Sequence, residues 1–179
     1  MLYRLAQESD IDAICRLIQA AVSRMEERQI FQWDGVYPTK EDFMEDIQRQ
    51  QHYIGLLDDD IAVVYTVNKE CEKEYENGKW KYPNCDYRVI HRLCVNPAYQ
   101  NRGIAKSTLS YIEQELQKSN VETVRLDVFS KNPAALSLYQ NAGYEKVGFA
   151  DWRMGRFYLM EKRLYMFRYE PLENQPDSG

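Results

Sequence analysis

Residues 95–107, VNPAYQNRGIAKS, decide the fold of this chain. They join the end of an apolar, strand-forming run to a helix-forming run through a turn that contains Pro97 and Gly103. The N–H groups at the start of such a helix lack carbonyl partners, and the helix dipole adds positive potential, so the turn can hold an anion. Gly103 has no Cβ, which lets the backbone approach a ligand closely. The stretch alone predicts either a pyrophosphate-binding turn or a plain strand-to-helix connection.

Two other phosphate-binding patterns do not fit this stretch. GIAKS is similar to the end of a Walker A loop, but Ala105 stands where the second glycine is needed and the upstream glycine is missing. A Rossmann G-x-G-x-x-G is also absent from the sequence. The flanking elements must therefore decide what the turn holds.

Hydrophobic periodicity on either side of the turn predicts a mixed sheet covered by helices. The predicted order is β-α-α-β-β-β-α-β-α-β-β. Predicted helices cover 10–28, with a cap at Ser9, a segment after a cap at Thr39, 103–119, and a segment that begins with Asn132 and Pro133 and ends at Gly143. Predicted strands include 2–6, a hairpin turning at 58–60, YRVIHRLCV (87–95), TVRLDVF (123–129), YEKVGFA (144–150) and RFYLMEKRL (156–164).

Length and composition predict one globular domain over 1–168 and a polar C-terminal tail over 169–179. The net charge of −5 argues against binding to nucleic acid through bulk charge. No run of about 20 apolar residues is present and the N-terminus has no apolar core, so no membrane span or signal peptide is expected and the expected location is cytoplasmic. The four cysteines and two histidines lack metal-ligand spacing, so no metal is expected.

Two separated motifs together resemble the GNAT superfamily of N-acetyltransferases. QNRGIA (100–105) matches that family's Q/R-x-x-G-x-G/A pattern. NPAALSLYQNAGYEKVG (132–148) resembles the family's next block, which is a capped helix with a late tyrosine followed by a glycine and a strand. One helix and one strand separate the blocks, as in the family, and the resemblance covers the chain from Leu2 to about Leu164.

The resemblance implies an α/β (α+β) fold, the GNAT fold. Its central sheet is mixed and mostly antiparallel, with helices on both faces and a splayed pair of parallel strands, here 87–95 and 123–129. Acetyl-CoA is the implied cosubstrate and would lie in the splay. The pantetheine arm would pair with Leu93, Cys94 and Val95, and Asn132 would contact that arm or hold the splay. The turn would cradle the pyrophosphate through Gln100, Asn101, Arg102, Gly103, Ile104, Ala105, Lys106 and Ser107.

The resemblance also suggests the catalytic groups. Tyr139 matches the family tyrosine near the CoA sulfur and would act as general acid toward the departing thiolate. Two-residue alternation places Tyr87, Val89, His91, Leu93 and Val95 on one face of their strand, so His91 is the candidate general base. Family members often carry a glutamate where this chain has Val89. A bulge in this strand would shift the face.

The acceptor site is less defined by the sequence. Trp33 and Tyr37, in the loop IFQWDGVYP (30–38), are candidate substrate-binding residues through cation–π or apolar contact, although Trp33 could equally anchor the loop to the core. In KECEKEYENGKWKYP (69–83), alternate glutamates would share one face if the segment were extended; a solvated loop is the favoured interpretation.

The predicted function is transfer of an acetyl group from acetyl-CoA to a primary amine, of a small molecule or of a peptide or protein, by direct attack in a ternary complex. The alternative is a non-catalytic acyl-CoA-binding regulatory module. The expected partners are acetyl-CoA and the amine acceptor, and the chain is expected to be a monomer or a homodimer.

Overall fold

A seven-stranded sheet is the centre of the computed structural model, which describes residues 1–165. The strand order is β1-β2-β3-β4-β5-β7-β6, with four α-helices and short 3-10 turns between the strands. This confirms the predicted α/β fold and element order, whereas the tail (169–179) lies outside the described residues. The strands are β1 Leu2–Leu5, β2 His52–Leu57, β3 Asp60–Asn68, β4 Tyr87–Val95, β5 Thr123–Phe129, β6 Glu145–Trp152 and β7 Gly155–Arg163. The helices are α1 Ile11–Glu26, α2 Lys40–Gln48, α3 Ile104–Lys118 and α4 Pro133–Asn141.

Only β4 and β5 pair in parallel, and their pairing is short. The register runs from Tyr87 opposite Thr123 to Ile90 opposite Leu126 and then stops. Beyond that point β4 continues along β3, and β5 continues along β7. The facing edges of β4 and β5 are therefore unpaired over their C-terminal halves, which is the predicted splay.

A bulge in β4 changes which side chains face each side of the sheet. Val64 pairs with Cys94 but Thr66 pairs with His91, so Tyr65 stands opposite two residues. Arg92, within the bulge, has φ 52°. The prediction that His91, Leu93 and Val95 share one face is wrong, because the extra residue reverses the alternation after His91.

Most helix ends follow the sequence prediction. Thr39 accepts a hydrogen bond from the Asp42 N–H at 3.3 Å and caps α2, and Asn132 accepts one from the Ala135 N–H at 3.1 Å and caps α4. Gly143 follows α4 with φ +90°, in the left-handed region. Ser9 does not cap α1, because it lies inside a 3-10 turn in which Asp10 accepts from the Gln7 N–H.

The segment between β3 and β4 is not merely a solvated loop. It contains a 3-10 helix, Lys73–Asn77, so its glutamates do not form one extended face. Tyr75 from this helix is buried against Val89, Val147 and Leu159. Gly148 allows the contact, since a Cβ there would stand 2.8 Å from the Asn77 carbonyl oxygen. The segment is thereby held against β6 and brings Tyr75 to the splayed strands.

Candidate active site

Two cavities open at the splay between β4 and β5, and they share a wall. The larger has a volume of about 680 Å³ and the smaller about 380 Å³. We call the smaller one the donor cavity, because the turn 100–105 lines it, and the larger one the acceptor cavity. The residues that line both are Gln32, Trp33, Leu93, Asn132, Ala135 and Tyr139.

The turn at Gly103 has the geometry of an anion-binding helix start. Gly103 caps α3 with φ +75°, and a Cβ there would meet no atom within 4 Å. Asn101 is also left-handed, with φ 62°. The first bond of the helix runs from the Ser107 N–H to the Gly103 carbonyl at 3.0 Å, so the N–H groups of the residues between them remain available. The backbone of this turn can therefore bind a pyrophosphate.

The predicted donor residues are not all placed alike. Arg102 and Ser107 do not line the donor cavity; Arg102 lies over the Tyr99 ring, and the Ser107 hydroxyl donates to the Ile104 carbonyl at 3.0 Å. Those that do line it include the three residues at the end of β4, most of the turn and the α4 cap: Leu93, Cys94, Val95, Gln100, Asn101, Gly103, Ile104, Ala105, Lys106 and Asn132.

The end of β4 offers an unpaired backbone edge to the donor cavity. Cys94 and Val95 pair with β3 on one side only, since the pairing with β5 ends at Ile90. Burial raises the pKa of the Cys94 thiol to about 12, so this thiol stays protonated and is a poor nucleophile. These residues can contribute backbone hydrogen bonds, but Cys94 is not suited to carry an acyl group.

Asn132 connects α4 to the loop that separates α1 and α2. Its Oδ1 caps α4, and its Nδ2 donates to Gln32 Oε1 at 2.8 Å. Trp33, the next residue in that loop, packs in the core beneath α1 and also borders both cavities. Both interpretations of Trp33 are therefore compatible with its position.

Tyr139 lies where the cavities meet. Its side chain is only 8% exposed, and its hydroxyl makes no hydrogen bond to any residue in 1–165. Burial raises the pKa of Tyr139 above its ordinary value, and the nearby Asp127 carboxylate raises it further. The group is therefore a protonated phenol at neutral pH with an unused donor that faces both cavities.

Asp127 is a second titratable group in the acceptor cavity, and sequence reasoning missed it. Val124, Leu126 and Val128 pack beneath α3 and α4, so Asp127 points to the opposite face of β5. It is the first residue of β5 beyond the paired segment. Burial raises the pKa of Asp127 to about 6, even though Tyr75 Oη donates to its Oδ1 at 2.8 Å and this bond lowers the pKa. A carboxylate with this pKa is ionised at neutral pH and is poised to take a proton.

His91 also lines the acceptor cavity, in a fixed tautomer. Asn68 Oδ1 accepts from the Glu70 N–H at 3.0 Å and lies 2.9 Å from His91 Nε2, so Nε2 carries the proton and Nδ1 holds the lone pair. Burial lowers the pKa of His91 to about 4, and the positive charge of Arg92 lowers it further. The ring is neutral at physiological pH and is a weaker base than Asp127.

Arg92 and Tyr37 form part of the acceptor wall. Arg92 Nη1 donates to Tyr37 Oη at 2.9 Å, and Nη2 donates to the buried carboxylate of Asp46. Thr66 Oγ1 donates to Asp46 at 2.9 Å and accepts from His52 Nδ1 at 2.8 Å. Burial lowers the pKa of His52 to about 3, in keeping with a neutral ring. This chain of contacts fixes the wall that carries Tyr37.

The two cavities differ in charge. Seven carboxylates and three guanidinium groups line the acceptor cavity, whereas the donor cavity is lined by basic residues and, among residues 1–165, by no carboxylate. The acceptor carboxylates are Asp42, Glu45, Asp46, Glu70, Glu72, Glu74 and Asp127. The arrangement suits an anionic ligand on one side and a cationic ligand on the other.

Two further searches cover the same part of the chain. Residues 1–165 contain no group of three or more His, Cys, Asp or Glu side chains that could hold a metal ion. Over that range, no helix is both long enough and apolar enough to cross a membrane.

Sequence relatives are acetyltransferases. The chain is 30% identical over 122 residues to the N-alpha-acetyltransferase RimI of Mycobacterium tuberculosis, which covers 68% of this chain and 70% of that protein. It is 33% identical over 61 residues to the ribosomal protein bS18-alanine N-acetyltransferase of Escherichia coli K12, which covers 34% of this chain. The chain spans about two fifths (41%) of that relative's length.

Solved structures share the fold over nearly the whole chain. A GNAT family acetyltransferase from Streptococcus agalactiae superposes with TM-score 0.80 at 24% identity, over 90% of this chain and 94% of that one. The PaiA N-acetyltransferase of Thermoplasma acidophilum, solved in complex with coenzyme A, superposes with TM-score 0.68 at 16% identity, over 90% and 98%. The model of the acetyltransferase (GNAT) family matches residues 22–144, and the chain belongs to that family.

Proposed function

We propose that this protein transfers the acetyl group of acetyl-CoA to a primary amine by direct attack in a ternary complex. The observation that carries the proposal is the meeting of a basic cavity and an acidic cavity at one buried residue, Tyr139, which lines both. An anionic donor and a cationic acceptor would each enter the side of complementary charge. Their reactive ends would then meet at the shared wall.

The donor would be held mainly by backbone groups. The free N–H groups at the start of α3 would bind the pyrophosphate, and the unpaired edge of β4 would bind the pantetheine arm. The thioester would then lie beside Tyr139. The PaiA enzyme with the same fold binds coenzyme A, which supports this placement.

The acceptor would enter as an ammonium ion, attracted by the carboxylates of the acceptor cavity. The α-amino group of a peptide has a pKa of about 8 and an alkylamine one of about 10, so either must lose a proton before its nitrogen can attack. We assign that proton to Asp127, whose pKa of about 6 leaves it ionised at neutral pH. Transfer to the cavity, which is partly aromatic, removes water from the ammonium and makes this proton easier to release.

The chemistry then needs no covalent enzyme intermediate. The amine nitrogen forms a bond to the acetyl carbon, and the carbon–sulfur bond breaks as the tetrahedral intermediate collapses. Tyr139 donates its proton to the departing thiolate, and Asp127 holds the proton that the amine has lost. Holding the two reactants in line supplies much of the rate, because the thioester is already activated.

The acidic cavity accommodates either a small amine or the first residues of a peptide. The Escherichia coli and Mycobacterium tuberculosis relatives carry names that specify alanine or N-alpha acetylation, which favours an N-terminal amine. The alternative, a non-catalytic acyl-CoA-binding module, would need no proton acceptor at the splay. The position and pKa of Asp127 therefore favour the enzyme.

The test incubates the protein with acetyl-CoA and a panel of amines and N-terminal peptides while free thiol is followed. We expect thiol release that depends on the acceptor. If the protein binds acetyl-CoA but releases no thiol with any acceptor, the proposal of an enzyme fails and the non-catalytic binding module is favoured. An acetylated protein trapped in the absence of acceptor would contradict direct attack.

A further inference from the structure

One face of α1 borders the donor cavity, and neither motif described above contains it. The residues are Ala21, Arg24, Met25 and Arg28, the last in the turn that follows the helix. Their spacing of three, four and seven residues places them on one face of a helix. Ala21 is buried, Met25 is half-buried and Arg28 is exposed. The face therefore runs from the inside of the cavity to its mouth.

The charge on this face is not matched by acidic side chains in the donor cavity. Arg24 forms an exposed ion pair with Glu27 at 2.7 Å, but Arg28 forms no ion pair with any residue in 1–165. Lys106, in the first turn of α3, is the third cation that borders the cavity. Arg28 and Lys106 therefore border the donor cavity without a carboxylate partner among residues 1–165, and Arg24 adds a third, paired cation.

We propose that Arg28, assisted by Arg24, binds the 3′-phosphate of the donor, so that the protein distinguishes coenzyme A from dephospho-coenzyme A. The inference rests on the proposed function, because it requires the donor to lie in this cavity. With the pantetheine arm along β4 and the pyrophosphate at the α3 turn, the nucleoside end of the donor would be left at the mouth of the cavity, which Arg28 lines. A phosphomonoester dianion there matches the planar guanidinium fork.

A purely structural role is the competing explanation. Basic side chains near a helix C-terminus interact favourably with its dipole, and this would also place Arg24 and Arg28 where they are. That role predicts a loss of helix stability when either arginine is removed. It predicts no dependence on the 3′-phosphate.

The experiment measures dissociation constants for coenzyme A and dephospho-coenzyme A by calorimetry, using the full chain. We expect the unaltered protein to bind coenzyme A about tenfold more tightly, the size of one charge-assisted contact. Arg28→Ala should weaken coenzyme A binding by about tenfold and leave dephospho-coenzyme A unchanged. Arg24→Ala should have a smaller effect in the same direction. Arg16→Ala, on the same helix but exposed and outside the cavity, is the matched control.

The other outcomes distinguish failure of the 3′-phosphate assignment from failure of the proposed function. Equal affinities in the unaltered protein, or equal weakening of both nucleotides by Arg28→Ala, would overturn the 3′-phosphate assignment and leave the proposed function standing. Discrimination that persists in the Arg24→Ala, Arg28→Ala double variant would also overturn it. Binding of neither nucleotide would overturn the proposed function itself. Arg28→Gln, which keeps the length of the side chain, replaces Arg28→Ala if circular dichroism shows that the latter is unfolded.

Discussion

The donor and acceptor cavities share a wall but are built by different means. The donor cavity uses backbone groups from two consecutive elements, β4 and α3, together with one face of α1. The acceptor cavity uses side chains from the α1–α2 loop, α2, the end of β3, the segment between β3 and β4, β4, β5, α4 and the β6–β7 hairpin. An ion pair joins that hairpin to the α1–α2 loop, since Arg153 Nη1 lies 2.6 Å from Asp34 Oδ2.

This difference explains why a sequence motif indicates the proposed donor, whereas no motif indicates the acceptor. Backbone groups at a helix start impose a local pattern, because only certain residues permit the turn. Side chains that converge from eight segments impose no spacing that a single sequence shows. Changes in the acceptor cavity should therefore act on proton transfer and on the acceptor, whereas changes in the donor turn should act on acetyl-CoA affinity.

Asp127→Asn should give the largest effect. It removes the proposed proton acceptor, so we expect kcat/KM for the acceptor to fall by about 10³-fold with acetyl-CoA affinity unchanged. In the unaltered protein activity should rise with pH through about 6, because the carboxylate of Asp127 is ionised only above its pKa. This acid limb should vanish in the variant.

The pH profile also separates Asp127 from His91. Tyr75→Phe removes the hydrogen bond that lowers the pKa of Asp127, so the acid limb should move to higher pH. His91→Gln should leave the limb in place. A limb that is lost with His91 and kept with Asp127→Asn would transfer the role of base to the histidine.

Tyr139→Phe should have the next largest effect. The departing thiol has a pKa of about 8.5, so a thiolate can leave slowly without an acid, and we expect kcat to fall by about 10²-fold. Calorimetry should show acetyl-CoA affinity close to that of the unaltered protein, because no hydrogen bond of the Tyr139 hydroxyl within residues 1–165 is lost. Unchanged turnover would remove Tyr139 from the mechanism.

Gly103→Ala should affect the donor side alone. A side chain at φ +75° costs about 1 kcal/mol or somewhat more, which corresponds to roughly fivefold weaker acetyl-CoA binding if the turn relaxes. Turnover at saturating acetyl-CoA should be retained. Gly35→Ala is the control, since a Cβ there also meets open space and its φ is not left-handed. Equal loss of affinity in both variants would contradict the role of the turn.

Glu72→Gln should give the smallest effect, on the acceptor side alone. Glu72 lines the acceptor cavity, and its charge contributes to the raised pKa of Asp127. We expect the acceptor KM to rise about threefold at low salt, and less at high salt, because the carboxylate is exposed and its charge is screened. Glu76→Gln, an exposed glutamate of the same segment that lies outside the cavity, should leave KM unchanged. An equal rise in the acceptor KM for both variants would indicate that the acidic surface attracts the acceptor in general and that Glu72 does not form part of a specific site.

Much of the fold followed from local patterns. The bounds of β4 and β5 match the predicted 87–95 and 123–129, because both runs are bordered by turn residues and alternate in polarity. The caps at Thr39 and Asn132 were also predicted correctly, since a cap depends on only a few neighbouring residues. The predicted cap at Ser9 was wrong, because Ser9 lies inside the 3-10 turn Glu8–Asp10. Gln7 begins that turn, and its N–H donates to Asp10.

The acceptor site could not be predicted in the same way. The bulge at Arg92 depends on how β4 is registered against β3, which is a non-local property, and it determines which β4 side chains reach the cavity. The role of Asp127 depends on where the parallel pairing stops and on Tyr75, which arrives from 52 residues away in the chain. Without those contacts, Asp127 is only a charged residue between two apolar ones.

The sequence by itself determined the element order, the caps at Thr39 and Asn132 and the turn at Gly103, because each is set by residues within a few positions of one another. Only the tertiary structure decided the acidic cavity, the raised pKa of Asp127 and the reversed face of β4. Burial, register and charge proximity set all three, and these exist only once distant segments have packed together.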